Sequence, residues 1–139
     1  MATKTKTLAK VLDDTAVLMQ KYVRLKDFVS NGGFCKCVTC GKTGHWKEFD
    51  GGHFISRTYT IHKILEKNIH PQCKGCNRFG HKCHDDYSMY MIDTYGEDFV
   101  RELIDTKRIS IKRDRQELLA TQKDLKQKIK DLENEVPTY

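Results

Sequence analysis

The sequence predicts a small α+β fold, with a helix at the start of the chain, short strands in the middle and helices again at the end. Apolar residues recur at helical spacing near both ends, and short aromatic and β-branched pieces lie between them. The length of 139 residues suffices for one domain with a small core and appendages. The predicted division is an N-terminal amphipathic helix over 1–30, a core over 31–96 and a helical arm over 97–139.

The first predicted helix rests on a run of apolar residues at steps of three and four. Glycines permit positive φ and break the helical period, so the helix should end near Ser30, where Gly32 and Gly33 follow. The predicted face is Leu8, Val11, Leu12, Thr15, Leu18, Met19, Tyr22 and Leu25.

Residues 34–60 predict the strands of the core. Their aromatic and β-branched pieces are separated by two glycine-containing segments, Gly41–Gly44 and Asp50–Gly52, which are typical of turns. We therefore expect short antiparallel strands here.

Six cysteines dominate the chemistry of the core, and four of them form two Cys-x-x-Cys pairs. No secretory signal precedes them, so a metal site is a better interpretation than disulfides. Four thiolates close a tetrahedral structural Zn²⁺ site; redox pairs or buried free thiols are the alternatives. The predicted zinc ligands are Cys37, Cys40, Cys73 and Cys76, with Cys35 and Cys83 left over.

Three helical segments are predicted after the core. The first covers 85–95 and ends at Gly96, and the second covers 97–105. A connector with five cations, Lys107–Arg115, could contact phosphate. The last helix carries a coiled-coil-like seam, which leaves open whether it packs back onto its own chain or forms a dimer seam. The seam is Leu118, Gln122, Leu125, Ile129, Leu132 and Val136.

The amino-acid composition limits the kinds of partner that the protein can bind. The formal net charge of +6 favours a polyanion such as DNA. No apolar run approaches the roughly 18 residues of a membrane-spanning helix, so we expect a cytoplasmic protein that binds no membrane.

His53 is the candidate general base. The preceding Gly51 and Gly52 would let a polyanion approach its imidazole, whose ordinary pKa near 6.5 suits proton transfer at neutral pH. An exposed strand histidine without chemistry is the alternative.

The order His53, Asn68, Cys73-x-x-Cys76-Asn77 resembles the HNH, or ββα-metal, nuclease family. The closest resemblance is to the NinG (Rap) proteins of lambdoid phages, which are recombination endonucleases acting on branched DNA. The likeness extends from about residue 8 to 135. It is carried by Tyr22–Asp27, Cys37–Gly41, Gly52–Phe54, Asn68–Cys73, Cys76–Asn77, Tyr87 and Tyr95–Gly96.

The resemblance implies a zinc-stapled ββα-metal core and a metal-dependent endonuclease for branched or Holliday-junction DNA in the host bacterial cytoplasm. By it, His53 is the general base and Asn68 fixes the loop that orients His53. Mg²⁺ or Mn²⁺ would be the catalytic metal.

The ligands of that metal follow less directly. Asn77 and His81 would share one face if a helix begins at Cys76. The residue that usually precedes the base in the family is replaced by Gly52, and Asp50 is the nearest substitute. On a regular strand Asp50 would face away from His53, unless the glycines form a bulge.

Five cations surround the motif and are the predicted DNA-binding residues: Arg57, Lys63, Lys67, Lys74 and Arg78. Because a four-way junction needs two symmetric cuts, a homodimer through the C-terminal seam is expected. The alternatives are a non-enzymatic zinc-stabilised DNA-binding module with a coiled coil, and a degenerate nuclease fold kept as an assembly factor.

Overall fold

The structure, a computed structural model, describes residues 5–78 and 80–136, without the side chains of residues 80–82. Over these residues it is α+β, with five α-helices and two small antiparallel sheets, as predicted. No helix in this part of the chain combines the length and apolar character needed to cross a bilayer. The elements are α1 (Leu8–Ser30), β1 (Cys35–Lys36), β2 (Thr43–Gly44), β3 (Phe49–His53), β4 (Ile69–Cys73), α2 (Lys74–Arg78), α3 (Gly80–Tyr95), α4 (Glu97–Thr106) and α5 (Arg115–Glu135).

Helix α1 begins and ends where the sequence predicts. The Thr7 side chain caps it by accepting a hydrogen bond from the Lys10 amide at 3.1 Å. After Ser30 the chain leaves the helix through Gly32 and Gly33, at φ values of 75° and 117°. Glycine adopts these left-handed φ values at little cost, which explains why the helix ends here.

Strands β3 and β4 form the hairpin at the centre of the molecule. Their pairing runs without interruption from Phe49 opposite Cys73 to His53 opposite Ile69. The bulge considered for Asp50 is therefore not formed. Strand β4, which the sequence did not predict, is buried along its whole length.

The two glycines of β3 serve packing. A Cβ at Gly51 would lie 2.6 Å from Cβ of Gln20, so the missing side chain lets the hairpin approach α1. A Cβ at Gly52 would overlap the side chain of Gln72. Gly51 also lines the cavity that His53 borders, and the approach of a polyanion past these glycines stays a prediction.

The segment after β4 differs from its prediction at two places. Helix α2 begins at Lys74 instead of Cys76, and α3 covers Gly80–Tyr95 instead of 85–95. Gly96, at φ 91°, separates α3 from α4. Helix α4 has the predicted start at Glu97.

Helix α5 packs lengthwise against α1 of the same chain. Leu118 lies with Val11 and Leu12, and Leu125 joins a cluster with Met19 and Ile69. The apolar seam of α5 thus packs against its own chain. This is one of the two alternatives that the spacing left open. A homodimer stays a prediction, but its expected seam is wrong, because these apolar side chains are already buried against α1.

Candidate active site and metal centre

Four cysteines converge where the β1–β2 hairpin meets the end of β4. The Sγ atoms of Cys37, Cys40, Cys73 and Cys76 lie within 4.8 Å of one another, and those of Cys40 and Cys73 are 3.7 Å apart. Bonds of about 2.3 Å in tetrahedral geometry place two sulfurs about 3.8 Å apart. The predicted set could therefore hold a metal such as zinc.

The protonation of these thiols fits a cation between them. Burial alone would raise the pKa of Cys37, but hydrogen bonds from the Thr39 hydroxyl and from nearby backbone groups lower it to about 6. Burial raises the pKa of Cys76. Four thiols this close do not ionise together unless a positive charge stabilises them, which a zinc ion does.

The two remaining cysteines lie outside this set. The Cys35 thiol donates a hydrogen bond to the Arg24 carbonyl at 3.1 Å, and burial raises its pKa to about 12. Cys83 is half-buried and packs against the cluster that contains Cys76. Cys35 is therefore a core thiol that fastens β1 to α1.

A cavity of about 950 Å³ lies beside the β3–β4 hairpin. Of the predicted site residues it brings together Asp50, His53, Asn77 and Arg57. Strand β3 supplies the first two, which both border the cavity although no bulge turns Asp50 towards His53, and α2 supplies Asn77. The candidate base and two candidate metal ligands therefore border one solvent-accessible space.

His53 is held in one tautomer. Its Nε2 lies 2.8 Å from the carbonyl oxygen of Lys63, and a carbonyl only accepts, so Nε2 carries the proton. Nδ1 is then the ring nitrogen with a free lone pair. Burial lowers the pKa of His53 to about 4, and the positive charges of Arg57 and Lys63 act in the same direction. The imidazole is therefore neutral at pH 7.

Asn68 organises the loop between His53 and β4. It is fully buried, its Oδ1 accepts from the Ile55 amide at 2.8 Å, and its Nδ2 donates to the carbonyls of Ile55 and His62 at 3.1 Å each. These three bonds tie both ends of the segment that leads to Lys63. Asn68 therefore makes hydrogen bonds to backbone across this loop, and its effect on His53 stays a prediction.

Asp50 is shared between an amide and an ammonium. One carboxylate oxygen accepts from Asn77 Nδ2 at 3.0 Å, and the other pairs with Lys74 Nζ at 3.1 Å. Partial burial alone would raise the pKa of Asp50, but these hydrogen bonds and the charges of Lys74 and Arg78 outweigh it and hold the pKa below its ordinary value. Asp50 is therefore ionised beside Asn77.

His81 cannot be placed in the site, because its side chain lies outside the described residues. Asn77 lies in α2 and His81 lies in α3. Their pairing as ligands of the catalytic metal stays a prediction.

Three of the predicted DNA-binding cations already have partners. Lys63 pairs with Asp13, Lys74 pairs with Asp50, and Lys67 lies over the rings of Tyr95 and Phe99 at 5.6 and 5.4 Å. Arg57 and Arg78 are exposed, and within this set of five only Arg57 lines the cavity.

Several cavity residues were not assigned to the site from the sequence: Gln20, Tyr59, Gln72, His84, Asp85, Tyr87 and Lys107. The Tyr87 hydroxyl donates to the Gly52 carbonyl at 2.7 Å, directly before the candidate base. Tyr87 is among the residues that carry the family resemblance, but no role in the site was predicted for it. Lys107 belongs to the cation-rich connector, and this cluster of cations was the sequence signal that could have indicated it.

The chain matches the model of a known protein family. The family model described as Bacteriophage Lambda NinG protein matches residues 2–135. No curated protein and no solved structure matches the chain.

Proposed function

Because the chain belongs to the family of the bacteriophage lambda NinG protein, we propose that it is a metal-dependent DNA endonuclease acting on branched DNA in phage recombination. One observation supports this most strongly. His53, with Nε2 fixed by the Lys63 carbonyl, borders the same cavity as Asp50 and Asn77. The setting of this activity is the host bacterial cytoplasm.

His53 is the general base. Its Nδ1 takes a proton from a water molecule while the water oxygen forms a bond to the phosphorus, and the bond from phosphorus to the 3′ oxygen breaks. The leaving oxygen takes a proton from solvent. A base that is neutral at pH 7 and fixed by a backbone carbonyl needs no reorientation before it accepts the proton.

Asn68 acts through this base. By holding both ends of the loop that leads to Lys63, it keeps the carbonyl that orients the imidazole in place. Asn68 is therefore a positioning residue.

Asp50 and Asn77 would hold the catalytic metal. Carboxylate and amide oxygens suit Mg²⁺ or Mn²⁺, and the Lys74 ammonium bound to Asp50 indicates that this carboxylate attracts a cation. The metal, when bound, stabilises negative charge on the phosphate and on the leaving oxygen. The order β3, β4, α2, stapled by the cysteine cluster, supports the ββα-metal assignment.

The pairing of Lys74 with Asp50 also favours the second candidate function, a zinc-stabilised DNA-binding module without catalysis. In that case Lys74 takes the place that a metal takes in the nuclease. A degenerate nuclease fold without catalysis would show the same pair of Lys74 and Asp50.

A cleavage assay separates these functions. Zinc-loaded protein is incubated with linear, nicked and four-way DNA of equal length in Mg²⁺ or Mn²⁺, with an EDTA control whose zinc content is measured afterwards. We expect metal-dependent cleavage, strongest on the four-way junction. Binding without cleavage in every metal would contradict the proposal and support the non-enzymatic module.

A further inference from the structure

The cation-rich connector between α4 and α5 lies at the rim of the cavity that contains His53. Lys107 lines this cavity, and its Nζ lies 5.1 Å from the ring centroid of Tyr59, another lining residue. The guanidinium carbon of Arg108 lies 5.9 Å from the same centroid. An aromatic face positions a cation without neutralising its charge.

Arg113 fixes the connector to the loop that follows His53. Its Nη2 donates to the carbonyls of Thr60 and Ile61 at 2.9 and 3.0 Å. The side chain is half-buried and its Nε is buried without a hydrogen-bond partner among the described residues. Arg113 is therefore an anchor that holds the connector, with Lys112 directly before it, against the loop after His53.

The cations of the connector have no acidic partners in the described part of the chain. No described carboxylate forms an ion pair with Lys107, Arg108 or Lys112. The one acid of the segment, Asp114, caps α5 by accepting from the Gln116 amide at 2.9 Å. The predicted cations Lys63 and Lys74, by contrast, are already paired with carboxylates.

We infer that Lys107, Arg108 and Lys112 form a phosphate-binding surface that holds the backbone of the DNA beside His53. The inference rests on the proposed function for the identity of its partner. Unpaired cations at the rim of a cavity attract a polyanion, and each phosphate contact releases counterions from the DNA. The surface thus adds to the DNA-binding set expected from the sequence, in which Lys63 and Lys74 are already paired with carboxylates.

The test compares two triple variants that remove equal charge. Lys107→Gln, Arg108→Gln, Lys112→Gln changes the connector. Lys123→Gln, Lys126→Gln, Lys130→Gln changes three exposed lysines of α5, none of which lines the cavity. Zinc content and thermal melting establish that both variants are folded.

Fluorescence anisotropy with a labelled four-way junction and a linear duplex gives the affinity over a series of salt concentrations. Ca²⁺ replaces Mg²⁺ and Mn²⁺, and a gel verifies that the DNA stays intact. Each duplex phosphate contact contributes about 0.9 to the slope of log K against log salt. We expect the magnitude of this slope to fall by about 2–3 in the connector variant, and its affinity to fall at least about tenfold near physiological salt. The α5 variant should stay within about twofold of the wild type.

An equal loss in both variants would overturn the inference, because net charge alone would then explain the binding. Unchanged binding by the connector variant would overturn it too, as would a wild-type protein that binds no DNA. The proposed function fails separately: a wild-type protein that binds through the connector but never cleaves contradicts the nuclease and leaves the surface intact.

Discussion

Buried polar side chains determine the local geometry of the site. Asn68 satisfies three backbone groups: the amide and the carbonyl of Ile55, and the carbonyl of His62, which also accepts from the Leu65 amide at 3.2 Å. Leaving one buried polar group unpaired costs about 1–3 kcal/mol. The fold therefore depends on this amide as strongly as on a large apolar residue.

We predict that Asn68→Ala lowers the free energy of unfolding by about 3–5 kcal/mol, because it leaves the buried amide and carbonyl of Ile55 without the bonds that Asn68 supplies. Denaturant unfolding of the zinc-loaded protein measures this change. Asn134→Ala, at an exposed position of α5, is the control and should stay within about 0.5 kcal/mol of the wild type. Equal effects of the two substitutions would contradict the assigned role.

His70 is the centre of a buried hydrogen-bond chain on β4. The hydroxyl of Tyr87 donates to the Gly52 carbonyl, so His70 Nδ1 must donate to Tyr87 at 3.0 Å, and Nε2 accepts from Tyr95 at 2.7 Å. Burial lowers the pKa of His70 to about 4. The folded protein therefore holds this imidazole neutral, whereas the unfolded chain binds a proton near pH 6.5.

This difference predicts a pH-dependent stability. The stabilisation is fully present above pH 6.5 and is lost as the pH falls towards 4, because only the unfolded state takes up the proton in that range. Between pH 7.5 and 5.5 the wild type should lose about 1 kcal/mol more unfolding free energy than His70→Gln. Denaturant unfolding of both zinc-loaded proteins measures it, and parallel pH profiles would exclude the buried neutral histidine.

At the scale of elements, amphipathic periodicity predicted the helices well. Buried apolar faces explain why α1 and α5 form where the spacing indicates. Strand β4 escaped prediction because its buried residues include His70, Pro71 and Gln72, which show no alternation of apolar and polar residues. The polar groups of β4 are satisfied by distant partners, such as Tyr95 for His70, which no local pattern reveals.

The packing of α5 on α1 gives a direct prediction. Leu125 is 2% exposed and lies against α1, so Leu125→Ala should cost about 2–5 kcal/mol through a cavity and lost burial. Leu119, 43% exposed on the same helix, is the matched control, and Leu119→Ala should change stability by less than about 0.5 kcal/mol. If Leu125→Ala kept full stability and instead dissociated an oligomer, the seam would be intermolecular.

At the scale of the molecule, the cysteine cluster joins both hairpins and the helices around them. Cys37, Cys73 and Cys76 share a core cluster with Phe28 and Phe49. A structural zinc contributes on the order of 10 kcal/mol to folding in small metallodomains. Metal binding and folding of this core should therefore be one event.

We predict about one zinc per chain, bound only when all four cysteines are present. Cys40→Ser should lose the metal and lower the melting temperature sharply, although Cys40 is exposed and contributes little packing. Cys35→Ala should keep the zinc, since Cys35 lies outside the four-sulfur set. Elemental analysis and thermal melting of both variants decide between these outcomes, and zinc retained by Cys40→Ser would reject the site.

The residues of the site could be predicted where their spacing in the sequence identifies them. Contacts made by groups that are distant in the chain could not be predicted in this way. The two Cys-x-x-Cys pairs and the order of His53 and Asn68 stand in the sequence. The carbonyl of Lys63 that fixes His53, and the ammonium of Lys74 on Asp50, depend on how the loop and hairpin fold. For the same reason the connector cations, more than fifty residues after His53 in the chain, could not be placed beside it.

The most direct test of the central claim is single-turnover cleavage of a four-way junction by His53→Ala. His45→Ala, which changes an exposed histidine that does not line the cavity, is the control. Loss of a general base lowers the rate by about 10²–10⁴. We predict a loss of this size for His53→Ala, with DNA affinity and zinc content unchanged, and near wild-type cleavage by His45→Ala. Full activity of the folded His53 variant would contradict the account and place the chemistry elsewhere.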